Sequence, residues 1–264
     1  CQICGSITKF LDNYKYNVKY DRNFFGDIKI YNCKECNFSF SHPLPKKENL
    51  LRFYKSIYRD IGRPHFYKKD EKLVKSDINL SYLKYLENYL SLKNINEVFD
   101  IGPGPGEFGY LIKNKYNNIS LNCSELDQFS MEYLQLREFN NYDNIDNIDK
   151  KFDLLISLHS LEHFSKIDSF FNTYEKILKS KGYIFFEVPN CPFDKGFEKR
   201  PYDSPHLLFF TQKSLEIIFK KKDYKIINLQ EFNPSQNLIF KEMLKSKKKH
   251  ENWTPDKKNK DSMK

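Results

Sequence analysis

Val98-Phe-Asp-Ile-Gly-Pro-Gly-Pro-Gly-Glu-Phe-Gly109 is the stretch from which the fold is read. An apolar segment carrying one acid, Asp100, breaks directly into Gly102, Gly104 and Gly106, and a helical pattern follows over 107–115. Strand, glycine turn and helix start, in that order, bring bare main chain and a helix N-terminus against a ligand, because glycine has no Cβ to block the approach. Asp100 stands one residue before the strand ends, where a cationic or hydroxylated ligand group would lie. The stretch predicts a nucleotide-type cofactor site, and two cofactor classes compete for it. Gly104, Gly106 and Gly109 satisfy the G-x-G-x-x-G dinucleotide fingerprint. That fingerprint wants its first glycine directly after the strand, which here is Gly102, and counted from Gly102 its third position is Glu107. An acid opening the helix repels a pyrophosphate, so the nicotinamide reading is disfavoured.

Working outward, strands and helices alternate. Strands are expected at 97–101, 119–125, 153–158, 182–188 and 224–231, with an ill-defined one near 140–148 and a final apolar run at 238–244. Helices are expected at 107–115, 128–138, 167–179 and 211–221, with Gly182 stopping the third before the next strand. This βαβ order predicts an α/β fold, an open and largely parallel sheet with helices on both faces. Upstream, 77–92 reads as an amphipathic helix with Leu80, Leu83, Leu86 and Leu90 on one face. Residues 48–58 also have helical spacing. Tyr54, Tyr58, His65 and Tyr67 mark an aromatic, basic segment, read either as domain packing or as a lid that closes over substrate.

The chain has 264 residues, 39% hydrophobic and 16% aromatic, enough for one sizeable core and a small accessory module. No apolar run approaches the roughly 20 residues of a membrane span and no secretory leader heads the chain, which predicts a soluble cytoplasmic protein. Of the formal charge of +9, the segment 241–264 carries +5, leaving +4 for all the rest. The excess is read as a solvated, disordered Lys-rich tail, and nucleic acid is disfavoured as a partner.

Four cysteines form two C-x-x-C pairs, Cys1 with Cys4 and Cys33 with Cys36, separated by 28 residues. Paired knuckles of this kind present two thiolates each to a tetrahedral zinc ion. Alternating apolar residues over 14–20 and 27–31 suit hairpin strands, so the unit reads as a zinc ribbon. Two disulfides are the competing reading, disfavoured in an intracellular chain. Four thiolates close the coordination sphere, making the metal structural. Cys123 and Cys191 read as core residues. The expected organisation is a zinc-ribbon module at 1–45, a helical linker or lid at 46–92, a cofactor-binding domain at 93–240 and the tail at 241–264.

Ligands of such sheets bind beyond the carboxyl ends of the strands, near the switch in strand order. Glu125 closes the second strand, 23 residues after Gly102, where a carboxylate would accept both ribose hydroxyls; Asp127 is its neighbouring alternative. Leu126, Leu158 and His159 fall where they would touch an adenosyl or methionyl group, and Asp146 or Ile148 would meet adenine. His159 and His163 follow the fourth strand, and Pro189-Asn190 follow the fifth.

The run Asp100-Ile-Gly-Pro-Gly-Pro-Gly106 resembles motif I of the class I S-adenosylmethionine-dependent methyltransferases. Phe152-Asp153, Leu161-Glu162-His163, Gly182 and Glu187-Val188-Pro189-Asn190 are similar to the later motifs of a subgroup that carries an N-terminal four-cysteine zinc module. Members of that subgroup act in sugar or surface-polysaccharide pathways. His206-Leu-Leu-Phe-Phe-Thr211 is similar to its H-x-x-x-F-[ST] element. The resemblance reaches to about residue 240 and implies a Rossmann-like, mostly parallel seven-stranded sheet with an antiparallel last strand. It implies S-adenosylmethionine bound by Asp100, Gly102, Gly104, Gly106, Glu125, Leu126, Leu158 and His159, and structural zinc on Cys1, Cys4, Cys33 and Cys36. The acceptor it implies is a small molecule such as a nucleotide-linked sugar or glycan precursor. The longer sugar C-methyltransferases of this kind carry a further C-terminal domain, for which these 264 residues are expected to hold no counterpart, so their exact reaction is not carried over.

Methyl transfer needs in-line alignment and, for a hydroxyl or acidic carbon, a proton acceptor. An ordinary imidazole titrates near working pH, so His206 is the first choice as base, His163 the second and His159 the third; each is also readable as a residue that merely holds a loop. Two other functions stay open: an RNA methyltransferase that reads its substrate with the ribbon, and a non-catalytic binding or interaction protein.

Overall fold

The computed structural model describes residues 1–16, 21–58, 77–192 and 205–231. In chain order the strands are β1 Lys9–Asn13, β2 Lys29–Cys33, β3 Phe38–His42, β4 Glu97–Ile101, β5 Ser120–Ser124, β6 Phe139–Asn141, β7 Phe152–Leu158, β8 Leu178–Glu187 and β9 Leu208–Phe209. The α-helices are α1 Arg22–Phe25, α2 Lys47–Arg52, α3 Asp77–Tyr89, α4 Glu107–Lys115, α5 Gln128–Leu136, α6 Ile167–Tyr174 and α7 Gln212–Lys221.

Five strands form the expected parallel sheet, in the order β6-β5-β4-β7-β8. β4 is central because Val98, Phe99 and Ile101 are apolar on both faces and buried at 0–2% exposure, as a strand covered from both sides must be. Its alternate residues feed two cores. Phe99 and Ile101 join Phe170 and Phe171 of α6 and Ile218 and Phe219 of α7. Val98 joins Leu83 and Leu86 of α3 and Leu111 and Ile112 of α4 on the opposite face. Phe99 lies 4.9 Å from the Phe152 ring centroid, and truncating so buried an aromatic costs about 3–5 kcal/mol. α7 begins with a capping box: Thr211 Oγ1 accepts from Ser214 N at 3.2 Å, and Thr211 N donates to Ser214 Oγ at 2.9 Å.

The structure differs from the sequence reading in several places. Residues 224–231 are not a strand; helix α7 ends at Lys221, and Asp223 just beyond it reverses the chain with a φ of +62°. Tyr224, Ile226 and Leu229 then pack one-sidedly on the core without pairing to β8, which is why their alternation imitated a strand. The antiparallel seventh strand is therefore not formed by this segment, and 238–244 and the tail at 241–264 lie outside the described residues. So do 59–75, with His65 and Tyr67. Gly182 does not stop a helix: α6 ends at Tyr174, and β8 starts at Leu178 with a register break opposite Phe152 and Leu154. Gly182 falls at this break. The third strand is only β6, followed by a 3-10 turn Ile145–Asn147. Leu80 is 39% exposed; on α3 the buried face carries Tyr82, Leu83 and Leu86 instead, and Leu90 is buried just past its end.

The cysteine pairs sit in a second sheet, antiparallel, ordered β1-β2-β3-β9. Its first strand runs over Lys9–Asn13, ahead of the expected 14–20. Its last strand, β9, arrives from the far end of the chain. Further bonds tie the two regions: Ser41 N to Leu207 O at 2.9 Å, Lys221 Nζ to Ile3 O at 2.6 Å and Ile167 N to Gln2 Oε1 at 3.2 Å.

A candidate cofactor cleft at the switch in strand order

Chain order reverses between β4 and β7, and a cleft of about 580 Å3 opens at their carboxyl ends, within the usual range of small-molecule sites. Gly102, Gly104 and Gly106 turn with φ of +64°, +56° and +75°, the left-handed region that glycine enters without a Cβ clash. At Gly102 a Cβ would stand 2.7 Å from Ser160 Oγ, and at Gly106 it would meet Phe139 at 2.7 Å and Leu134 at 2.8 Å. Ser160 is fixed there by donating to Ile101 O at 2.6 Å. The loop is thus packed from below, and its upper main chain faces the cleft.

Asp100 and Glu125 both line this cleft. Asp100 is 4% exposed; burial, then the neighbouring Glu125, push its carboxyl up to about 8 against one backbone N–H bond. Glu125 holds the loop and the next turn together. Its Oε2 accepts from Gly104 N at 2.8 Å, and its Oε1 accepts from Leu126 N at 2.7 Å and Asp127 N at 2.9 Å. Burial nevertheless leaves its pKa raised, those backbone bonds opposing it. Glu107 and Asp127 add two more acids to the wall. An acidic wall of this kind suits a cationic ligand and repels a pyrophosphate.

Leu126, Leu158 and His159 line the cleft as expected. Asp146 and Ile148 are not among its lining residues: Asp146 pairs with Lys176 at 2.8 Å and Ile148 packs on the core. The three histidines are brought together but not equivalently. His159 and His163 line the cleft; His206 does not, its ring packing on His163 at 5.0 Å. His159 is a half-exposed residue with φ of +54°. Its Nδ1 faces Glu162 Oε1 at 3.4 Å and its Nε2 faces Glu187 Oε2 at 3.5 Å. Burial would lower its pKa, but the two carboxylates outweigh it and raise the value. Burial pushes His163 down to about 4. Its Nδ1 lies 3.1 Å from Tyr54 Oη and 3.4 Å from Pro205 O.

Sequence reasoning missed Tyr82, Asn79, Ser160 and Arg137. Tyr82 lines the cleft and donates to Glu187, and Asn79 Nδ2 donates to Glu107 Oε2 at 3.2 Å. Both lie on the buried face of α3, so helical spacing alone would have found them. Arg137 is 1% exposed and donates to the Pro105 carbonyl of the glycine loop; no local pattern announces that contact.

The four thiols of Cys1, Cys4, Cys33 and Cys36 lie within 4.8 Å of one another. Cys1 and Cys36 sulfurs are 3.5 Å apart and Cys4 and Cys33 sulfurs 3.4 Å, so no disulfide joins them. Cys123 is buried beside Asp100, as a core residue.

Among solved structures the chain is similar to coclaurine N-methyltransferase bound to N-methylheliamine and S-adenosylhomocysteine. That match is 13% identical over 69% of this chain and 59% of that one, with a TM-score of 0.49. It is also similar to the plantazolicin methyltransferase BpumL, 14% identical over 43% and 46% with a TM-score of 0.36. A third is a putative S-adenosylmethionine-dependent methyltransferase from Listeria monocytogenes, 17% identical over 42% and 55% with a TM-score of 0.36. The chain spans about half the length of these structures. No curated protein matches it. A family profile described as a methyltransferase domain matches residues 74–229, a range that takes in α3, the glycine loop and the segment beyond α7. With more than half of its length in that match, the chain belongs to the methyltransferase-domain family.

Proposed function

We propose that this chain transfers a methyl group from S-adenosylmethionine to a small-molecule acceptor of the nucleotide-linked sugar or glycan-precursor class. The observation that carries it is the pairing of Asp100 and Glu125 beside the upturned main chain of Gly102 to Gly106, in a cleft whose wall is acidic. When bound, S-adenosylmethionine supplies an electrophilic methyl carbon on a sulfonium that leaves as a neutral thioether, keeping the electron pair of the broken carbon–sulfur bond. Glu125 would exchange part of its hold on Gly104 N for the ribose hydroxyls, and Asp100 would ionise opposite the cationic cofactor. The chain must align the acceptor and take its proton as the new bond to carbon forms.

His159 is the residue proposed to take that proton. It stands in the cleft wall with one nitrogen on Glu162 and the other near Glu187, so a carboxylate orients the ring and stabilises the imidazolium. His163 is the second candidate, and His206, outside the lining, is third. The acceptor class rests on the resemblance of the Leu161-Glu162-His163 and His206 elements to sugar-associated methyltransferases.

The cysteine cluster is proposed to hold structural zinc. Tetrahedral thiolate coordination at about 2.3 Å places sulfurs roughly 3.8 Å apart, and the observed 3.4 and 3.5 Å contacts need only small adjustments. Isothermal titration of zinc-loaded protein tests the main reading: S-adenosylmethionine and S-adenosylhomocysteine should both bind, and failure of both rejects it. Turnover with a panel of nucleotide sugars then tests the acceptor class.

A further inference from the structure

Glu162 has no ordinary explanation as a core residue. It is 1% exposed, sits in the 3-10 turn Leu161–His163, and neither of its carboxylate oxygens accepts a hydrogen bond. Leaving a buried carboxylate in that state costs several kcal/mol unless a positive charge compensates it. The facing group is His159, whose Nδ1 lies 3.4 Å from Oε1 without a hydrogen bond. One nitrogen each of His163 and His206 and one oxygen of Glu162 lie within 4.8 Å of one another.

From these contacts we infer that Glu162, His163 and His206 form a second metal site, which takes one divalent transition-metal cation of the zinc, cobalt or iron class. Two imidazoles and a carboxylate select such ions over magnesium or calcium, which prefer all-oxygen shells. Ligand distances of about 2.0–2.2 Å put donor atoms roughly 3–4.4 Å apart, so side-chain rotations of a fraction of an ångström to about one ångström close the site. Both supporting segments are pinned. Leu207 N donates to Glu162 O at 2.8 Å, Tyr14 Oη donates to His206 O at 2.8 Å, and Tyr54 Oη and Pro205 O hold His163 Nδ1 from outside the triad. Such outer contacts orient metal-binding imidazoles. Three protein ligands leave at least one coordination position for water. The site also gives His206 a role that its absence from the cleft wall otherwise denies it.

The test is metal content of the full chain, saturated with Co2+ or Zn2+, desalted and measured by inductively coupled plasma mass spectrometry. Wild type should retain one equivalent more than Glu162→Gln and one more than His206→Ala. The readout is a difference between proteins, so it does not depend on whether the thiols hold zinc or on methyl transfer. Equal metal content in wild type and both variants overturns the inference. Should a variant fold poorly, X-ray absorption of Co2+-loaded wild type decides: a nitrogen and oxygen shell beside any sulfur shell supports the site, and sulfur ligation alone rejects it.

Discussion

Asp100→Asn should stabilise the ligand-free protein at alkaline pH while weakening its hold on the cofactor. Asp100 is buried in the central strand, between Cys123 of β5 and Ile156 of β7, and its carboxyl is pushed from 3.8 to about 8, by burial first and by Glu125 second. A carboxyl whose folded pKa is raised binds its proton better in the folded state. Its contribution to stability is complete below the unfolded value near 4 and is lost as pH rises through about 8. At about 1.36 kcal/mol per unit the full loss is roughly 6 kcal/mol. Rotation toward the cleft and entry of water return part of it, which leaves an expected penalty of about 2–4 kcal/mol. An isosteric amide carries no such penalty. For a domain of this size each kcal/mol moves Tm by about 2–4 °C, so Asn should raise Tm by roughly 5–15 °C at pH 9 and by little at pH 5. Differential scanning fluorimetry of both proteins across pH 5–9 reads the effect, and other titrating groups cancel in the difference. A Tm difference that does not grow with pH refutes the reasoning.

The same linkage predicts that wild-type affinity for S-adenosylmethionine rises between pH 6.5 and 8.5, with up to one proton released on binding; titration in buffers of different ionisation enthalpy measures it, and zero release contradicts the pairing of Asp100 with the cation. Gly102→Ala should weaken cofactor binding at least about tenfold, because it strains a φ of +64° and drives Cβ against Ser160 Oγ; adding Ser160→Ala should recover only part of the loss. His159→Gln should lower kcat by about 10²–10⁴ while cofactor affinity stays within about fivefold, and equal kcat in single-turnover assays would remove His159 from the chemistry. Cys33→Ser should cost the cysteine cluster its zinc and lower Tm by ~10 °C or more, raising acceptor KM more than the cofactor dissociation constant.

The sheet was legible wherever one element carries its own pattern. β4, the glycine turn and α4 are local, so Asp100, Gly102 and Glu107 fell where sequence placed them. Glu125 and His159 were legible because strand ends converge in a parallel sheet. What sequence could not supply were the contacts between distant segments. β9 is two residues long and becomes a strand only by pairing with Ser39 and Phe40 of β3. His206 was read as the first-choice base, but tertiary packing sets its ring on His163, outside the cleft lining. Residues 224–231 have the alternation of a strand, but one-sided packing produces the same pattern.

The two walls of the cleft depend on different parts of the chain. The cofactor wall is built by β4, β5 and their turns, and its bonds close among Gly104, Glu125, Leu126 and Asp127. His159 is held by the ends of β7 and β8, but His206 and the turn that carries His163 are tied to residues outside the parallel sheet. Cys33 ends β2, β2 pairs with β3, β3 pairs with β9, and Leu207, just before β9, bonds both Ser41 and Glu162. Tyr14 fixes the His206 carbonyl from the same module. A metal at the cysteines, as proposed, would therefore brace the strap that carries His206 and support the turn that carries His163, without touching the glycine loop. That separation is why loss of the thiol-bound metal should be felt by the acceptor before the cofactor. It also makes the N-terminal module part of the cleft's architecture, since the segment 205–209 bonds both to β3 and to the Glu162 turn.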